Sequence, residues 1–385
     1  MLITKKLACC IALAFSTLSI NAQSFTIEEQ RLDKATKVIP AITSALSDRV
    51  NLFIEQINKA NNLTVLSQLS IRHGKGIWTD AKLYFKNTNH YDDRPLYWAR
   101  LQMSKALKQT KAFKESLPDQ QSKLLWQFEI YSRGQTDVKF DQYTTKRILV
   151  TGFDPFLLDR NIKQSNPSGV AAIVLDNLVI SVEGQSAEIE TLILPVRYAD
   201  FDQGMVEELL TPYFRENPVD MIITTGMGRS SFELERFTGL RRSALLPDNA
   251  NVMTGASRNN PLVPTLHDIP LKGPEFLEFT LPVDEMKTAS GFYPIKDNRV
   301  VSTKNEILRI TALTELINEI SVEGTGGGYI SNELSYRSLL LRDLYNPVLP
   351  VGHIHTPSIK GYDEGKIKLI LSQLKGMLTQ ASKTL

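Results

Sequence analysis

The chain has 385 residues, 42% of them hydrophobic, with 44 basic and 42 acidic side chains and a formal net charge of +2. That length suits about two domains and a sizeable packed core. So small a net charge excludes the strongly basic surface expected of a nucleic-acid binder.

In chain order, the first element is a targeting segment. "MLITKKLACCIALAFSTLSINAQS" carries Lys5-Lys6, an apolar run from Leu7 to Ile20 and the small residue Ala22. This pattern predicts a signal peptide over residues 1–22, cleaved after Ala22, and is too short for a convincing membrane anchor. The expected location is across the inner membrane, in the periplasm. Both cysteines of the chain, Cys9 and Cys10, fall inside the segment. The mature protein would then have no disulfide, no thiolate metal ligand and no thiol nucleophile. Loss of Lys5 and Lys6 would also leave 42 basic and 42 acidic residues. No second long apolar run follows, so no membrane contact is expected after cleavage.

Residues 23–131 read as a mainly helical region. In "LSDRVNLFIEQI", Leu46, Val50, Phe53, Ile54 and Ile57 share one helical face. Pro95 stands where a helix can start. The polar stretch "SRGQTDVKFDQYTTK", residues 132–146, reads as a linker. From residue 147 the pattern alternates. "RILVTGF", "IETLILPV", "VDMIITTG" and "GHIHTP" read as strands. "PSGVAAIVLDNLV", "FDQGMVEELLTPYFREN", Asn305–Ser321, Ser331–Tyr345 and a last segment from Asp363 read as helices. Alternation of this kind predicts an α/β fold: a three-layer α/β/α sandwich around a twisted, mostly parallel sheet, its site beyond the carboxyl ends of the strands.

Ser331, in "GTGGGYISNELSYRSLLL", sits where a glycine turn meets a helix. A serine there can cap the helix with its hydroxyl. It can also act as a nucleophile, given a base to take its proton and helix N–H groups to receive an oxyanion. The five histidines are His73, His90, His267, His353 and His355. His353 and His355 share one side of the "VGHIHTP" strand by alternation. The acid is less evident. "TGMGRSSFELERFTG" brings Gly226, Gly228 and Arg229 close to Glu233 and Glu235, a set that a solvated turn would equally explain. Its Gly-x-Gly lacks the lysine of a phosphate-binding loop.

Five ordered segments carry a resemblance. From about residue 147 the chain resembles the pyroglutamyl peptidase I family, the pyrrolidone-carboxylate peptidases, over about 240 residues. "ILVTGFDPFLLDRNIKQSNPS" resembles the family opening, and "GRSSFELERFTGLRRSALLPDN" the segment with the catalytic glutamate, here Glu235. "EFTLPVDEM" resembles a Thr-Leu-Pro-Val turn, while "GGYISN" and "GHIHTP" are similar to the stretches holding the catalytic cysteine and histidine. The resemblance implies Ser331 in the cysteine's place, His355 as the base and Glu235 as its orienting acid. It also implies Phe153, Phe156, Asn166 and Arg229 at the substrate, no metal and no cofactor. Two further departures concern the pocket: Leu157-Leu158 stands where the family has Gly-Gly, and the turn before Arg229 is one residue shorter.

Three expectations follow. One is a serine-type amidohydrolase acting on a peptide or small amide, removing an N-terminal pyroglutamyl or related group. A second is a disabled homologue that binds without cleaving, with Ser331 and His355 out of hydrogen-bond reach. A third is a metal hydrolase built on His353 and His355, with His267-Asp268 as the only further ligand in view. The sequence leaves the oligomeric state and the role of the helical region open.

Overall fold

The structure, a computed structural model, describes residues 25–182, 184–216 and 219–385. The expected signal segment, with Cys9, Cys10 and Ala22, lies outside the described residues. Among those residues no helix is long and apolar enough to cross a membrane.

Short helical turns open the described chain, and four longer helices follow: α1 (Ser47–Asn58), α2 (Leu63–Thr88), α3 (Arg94–Gln109) and α4 (Pro118–Tyr131). The predicted stripe on α1 buries Val50, Phe53 and Ile57. The Asn62 side chain caps α2, accepting from the Val65 N–H at 2.9 Å. Pro95 lies in the first turn of α3, where its missing N–H costs nothing.

The second region contains β1 (Lys146–Phe153), α5 (Pro167–Leu175), β2 (Leu178–Val182), β3 (Gln185–Leu194), α6 (Met205–Arg215), β4 (Met221–Met227), β5 (Phe232–Glu235), β6 (Ile295–Asn298), α7 (Ile330–Tyr345), β7 (Val351–Thr356) and α8 (Glu364–Ala381). The seven strands form one sheet in the order β6-β5-β7-β4-β1-β3-β2. Pairs β1–β3, β1–β4, β4–β7 and β5–β6 are parallel; β2–β3 and β5–β7 are antiparallel. The apolar runs of β1 and β4, which bury Ile148, Leu149, Val150, Met221, Ile222 and Ile223, suit strands covered on both faces. Helix α5 packs with α8, and α6 with α7, completing the α/β/α sandwich expected from the sequence.

The two regions share a core. Phe53, Leu66, Ile77, Trp78 and Phe128 pack with Ala172 and Ile173 of α5 and Ile193 of β3. The stretch 132–146 is a connection only in its later part. Arg133 is buried, donates to Asp154 at 2.9 Å and pairs with Glu129, and its carbonyl accepts from the Ile193 N–H. Exposure begins at Lys139.

The helix expected over Asn305–Ser321 is not formed. Ile307–Arg309 pairs with Val300–Thr303, which pairs in turn with Ser321–Glu323, in a small antiparallel sheet. The apolar residues there follow a period of two: Ile310 is buried with Val301 and Phe237, while Ile307 faces solvent. The tail of the helix expected over "PSGVAAIVLDNLV" is the edge strand β2, entered through Asn177 at φ +59°.

Candidate active site

Register brings the acidic and basic groups together. In β5, Phe232 and Leu234 point into the core, so Glu233 and Glu235 take the opposite face. His355 of β7 lies directly opposite Glu233 in the antiparallel pair, and opposite Gly226 in the parallel pair with β4. Gly228 leaves room for the imidazole: a Cβ there would lie 2.5 Å from the Cβ of His355. Close approach to His355, and no phosphate cradle, accounts for the Gly-x-Gly.

His355 Nδ1 is 2.7 Å from Glu235 Oε1, and its Nε2 is 3.1 Å from Ser331 Oγ. A carboxylate at Nδ1 holds the proton there and leaves Nε2 free to accept the serine hydroxyl. Ser331 is the second residue of α7, half-buried, and does not cap it; the helix begins after Tyr329 with no side-chain cap. Its own N–H and that of Ile330 belong to the first turn, where no intrahelical acceptor exists. They stand at the positive end of a helix of 16 residues.

The turn leading into Ser331 is fastened to the chain that follows Glu235. The Thr325 N–H donates to the Phe237 carbonyl at 2.7 Å. Asn332 Oδ1 accepts from the Gly239 N–H at 3.0 Å, and its Nδ2 donates to the Gly239 carbonyl at 2.7 Å. These residues were not singled out in the sequence. The strand alternation Phe232-Glu233-Leu234-Glu235 was the signal there for a buried strand, against a solvated turn.

Beside Ser331 lies a small, largely apolar cavity lined by Phe153, Phe156, Val196, Met227, Tyr329 and Ile330, together with Asn166 and Gly226. Of the four residues expected at the substrate, Phe153, Phe156 and Asn166 line this cavity. Val196, Met227 and Tyr329 were not foreseen. The Asn166 amide is already engaged: Oδ1 accepts from the Ser168 N–H and Nδ2 donates to the Asp154 carbonyl at 3.1 Å. It caps α5 and forms cavity wall. Arg229 does not line the cavity; 63% exposed, it pairs with Glu233 at 2.5 Å.

The Leu157-Leu158 departure has a structural reason. Leu158 is buried against Leu32, Ala35, Tyr97, Trp98 and Leu101 of the helical region. Leu157 takes φ +59°, a left-handed conformation that glycine adopts without strain. Ion pairs from Arg100 and Arg133 to Asp154 fix the same loop, and Ser165 Oγ donates to Asp93 at 2.6 Å. The helical region therefore braces the loop between Phe153 and Asn166.

The remaining histidines do other things. His353 is fully buried, 2.8 Å from Thr224 Oγ1 and edge-on to His355; burial, then the neighbouring imidazole, push it well below its ordinary pKa. His267 and Asp268 form a tight turn beside Asp202. His73 is buried in the helical region, and His90 is exposed there. Among the described residues, ligand atoms within 4.8 Å of one another are offered by Glu233, Glu235 and His355, a set without His353 or His267.

The chain matches the family described as "PA0049, C-terminal domain" over residues 147–273 and 293–360, and "PA0049 N-terminal domain" over residues 12–129. The chain belongs to the PA0049 family. The helical region is thus a recognised part of that family. A curated relative, "Uncharacterized protein PA0049" of Pseudomonas aeruginosa, is 27% identical over 360 residues, 71% of this chain. The match spans 65% of that relative's length. Among solved structures, a mutant pyrrolidone carboxyl peptidase of Pyrococcus furiosus is 23% identical, with TM-score 0.43, covering 62% of this chain and 99% of that one. Pyroglutamyl peptidase I of Bacillus amyloliquefaciens is 22% identical, with TM-score 0.42, covering 62% and 97%.

Proposed function

We propose that this PA0049-family chain is a serine-type amidohydrolase that removes an N-terminal pyroglutamyl group, or a related cyclic acyl group, from a peptide or small amide. The observation that carries the reading is the unbroken chain of contacts Ser331–His355–Glu235, at 3.1 and 2.7 Å. The disabled-homologue expectation had Ser331 and His355 out of hydrogen-bond reach, whereas Oγ and Nε2 are 3.1 Å apart. The five ordered sequence segments supply the substrate class.

In this reading His355 Nε2 takes the hydroxyl proton as Ser331 Oγ attacks the acyl carbonyl. The N–H groups of Ile330 and Ser331 receive the oxyanion. The tetrahedral adduct collapses, the C–N bond breaks, and His355 returns the proton to the leaving amine. Water, activated by the same imidazole, then releases the acyl group from Ser331. Glu235 holds the imidazole in the required tautomer throughout. The cavity walls of Phe153, Phe156 and Tyr329 suit a flat uncharged ring. We read residues 1–22 as a removed signal peptide. That export gives the serine a rationale: a reactive thiol outside the cytoplasm is exposed to oxidation.

The test is turnover of a pyroglutamyl amide by the purified mature protein. Activity that resists iodoacetamide and vanishes in Ser331→Ala supports the reading. No turnover of any pyroglutamyl or related lactam amide refutes it.

A further inference from the structure

Glu235 has two carboxylate oxygens, and only one faces His355. The other, Oε2, accepts a hydrogen bond from Asn298 Nδ2 at 2.9 Å. The same Nδ2 donates to the Thr325 carbonyl, also at 2.9 Å. An amide nitrogen carries two hydrogens, so both are used. The placement follows from the sheet: β6 is its edge strand, parallel to β5, and Asn298 is the direct register partner of Glu235. Thr325 lies in the turn that delivers Ser331, six residues before it. One side chain thus joins the acid to the segment bearing the nucleophile.

We propose that Asn298 is a positioning residue, which sets the rotamer of Glu235 and its height relative to Ser331. The proposal rests on the reading of Ser331, His355 and Glu235 given above. Its physical basis is that a carboxylate held by one bond alone swings about its terminal torsion. With Oε2 tied to Asn298, Oε1 stays in line with Nδ1. Serine at 331 makes this alignment more important than it would be for a thiolate. A hydroxyl is deprotonated only during attack, by an imidazole already in place.

The groups facing His355 and Glu235 are few. Glu233 lies on β5 and is paired with Arg229; His353 shares the strand of His355; Ser331 comes from α7. Asp297, on β6, is turned to Arg236 and Arg299. Asn298 is uncharged. An aspartate in its place would set a second negative charge against Glu235 and remove both donors. Added negative charge there favours the imidazolium, so His355 should hold its proton to higher pH.

The experiment uses the full mature chain with Asn298→Ala and Asn298→Asp. Asn298 is half-buried on an edge strand, so both variants should fold, as melting will show. Two readouts are taken: kcat and KM on a pyroglutamyl amide, and the titration of His355 by NMR, assigned with His355→Ala. The expected result is a fall in kcat of about ten- to a hundredfold in Asn298→Ala with KM little changed. Asn298→Asp should fall further, with the His355 midpoint displaced upward. Equal kcat in all three proteins, or loss of melting temperature with an unmoved His355 titration, would overturn the proposal. If the natural protein shows no turnover yet His355 shifts in Asn298→Asp, the hydrolase reading fails and the positioning role stands.

Discussion

Glu235 meets His355 across an antiparallel strand pair, carboxylate to Nδ1 at 2.7 Å, with both side chains buried. Glu235→Gln keeps the shape and removes the charge. A glutamine amide can donate to Nδ1 and force the proton onto Nε2, which then cannot accept from Ser331. The expected loss in kcat is about a thousandfold or more, with the melting temperature nearly unchanged. Steady-state kinetics beside calorimetry checks this; near-full activity would assign Glu235 a structural role.

The fold was legible where hydrophobic pattern and length agreed. β1, β3, β4 and β7 showed as apolar runs, and α6 and α8 as helical periods. The stretch 305–321 was misread because isoleucines and leucines fell close enough to a helical spacing, while the true period of two depends on pairing with Val300–Thr303. Ser331, His355 and Glu235 were readable through ordered motifs. Asn298, Thr325 and Asn332 were not, because their roles come from register between distant segments. The helical region's hold on the loop after Phe153 was equally hidden, since Leu157-Leu158 reveals its purpose only when packed.

That packing makes a paired prediction. Leu158→Ala removes a buried side chain from the contact with Tyr97 and Trp98 and should cost about 2–5 kcal/mol. Leu157→Gly relieves a left-handed leucine and adds unfolded-state entropy, two effects of opposite sign, and should change stability by less than about 1 kcal/mol. Denaturant titrations of the two variants distinguish the positions.

Glu190, buried on β3, gives a pH signature away from the site. Burial, with Asp176 adding to it, raises its pKa from 4.5 to about 8. The folded state then binds a proton that the unfolded state has released between about pH 4.5 and 8. Its contribution is fully present below that window and is lost as pH rises through it, with a slope of at most about 1.4 kcal/mol per pH unit. Glu190→Gln mimics the protonated form, so it should flatten this slope and raise stability most at pH 8 and above. Asp93, raised to about 8 by burial and Asp92, has the same sign and should leave a residual slope. Melting across pH 4.5–9 reads both.

The most direct measurement is to find the acyl group on the enzyme. The mature protein is mixed with an activated pyroglutamyl ester, quenched in acid within the first turnover, and its peptides are mapped by mass spectrometry. One pyroglutamyl adduct is expected on the peptide containing Ser331, absent in Ser331→Ala and accumulating in Glu235→Gln only at a much reduced rate. Turnover with no adduct at Ser331, or turnover that survives Ser331→Ala, would contradict it.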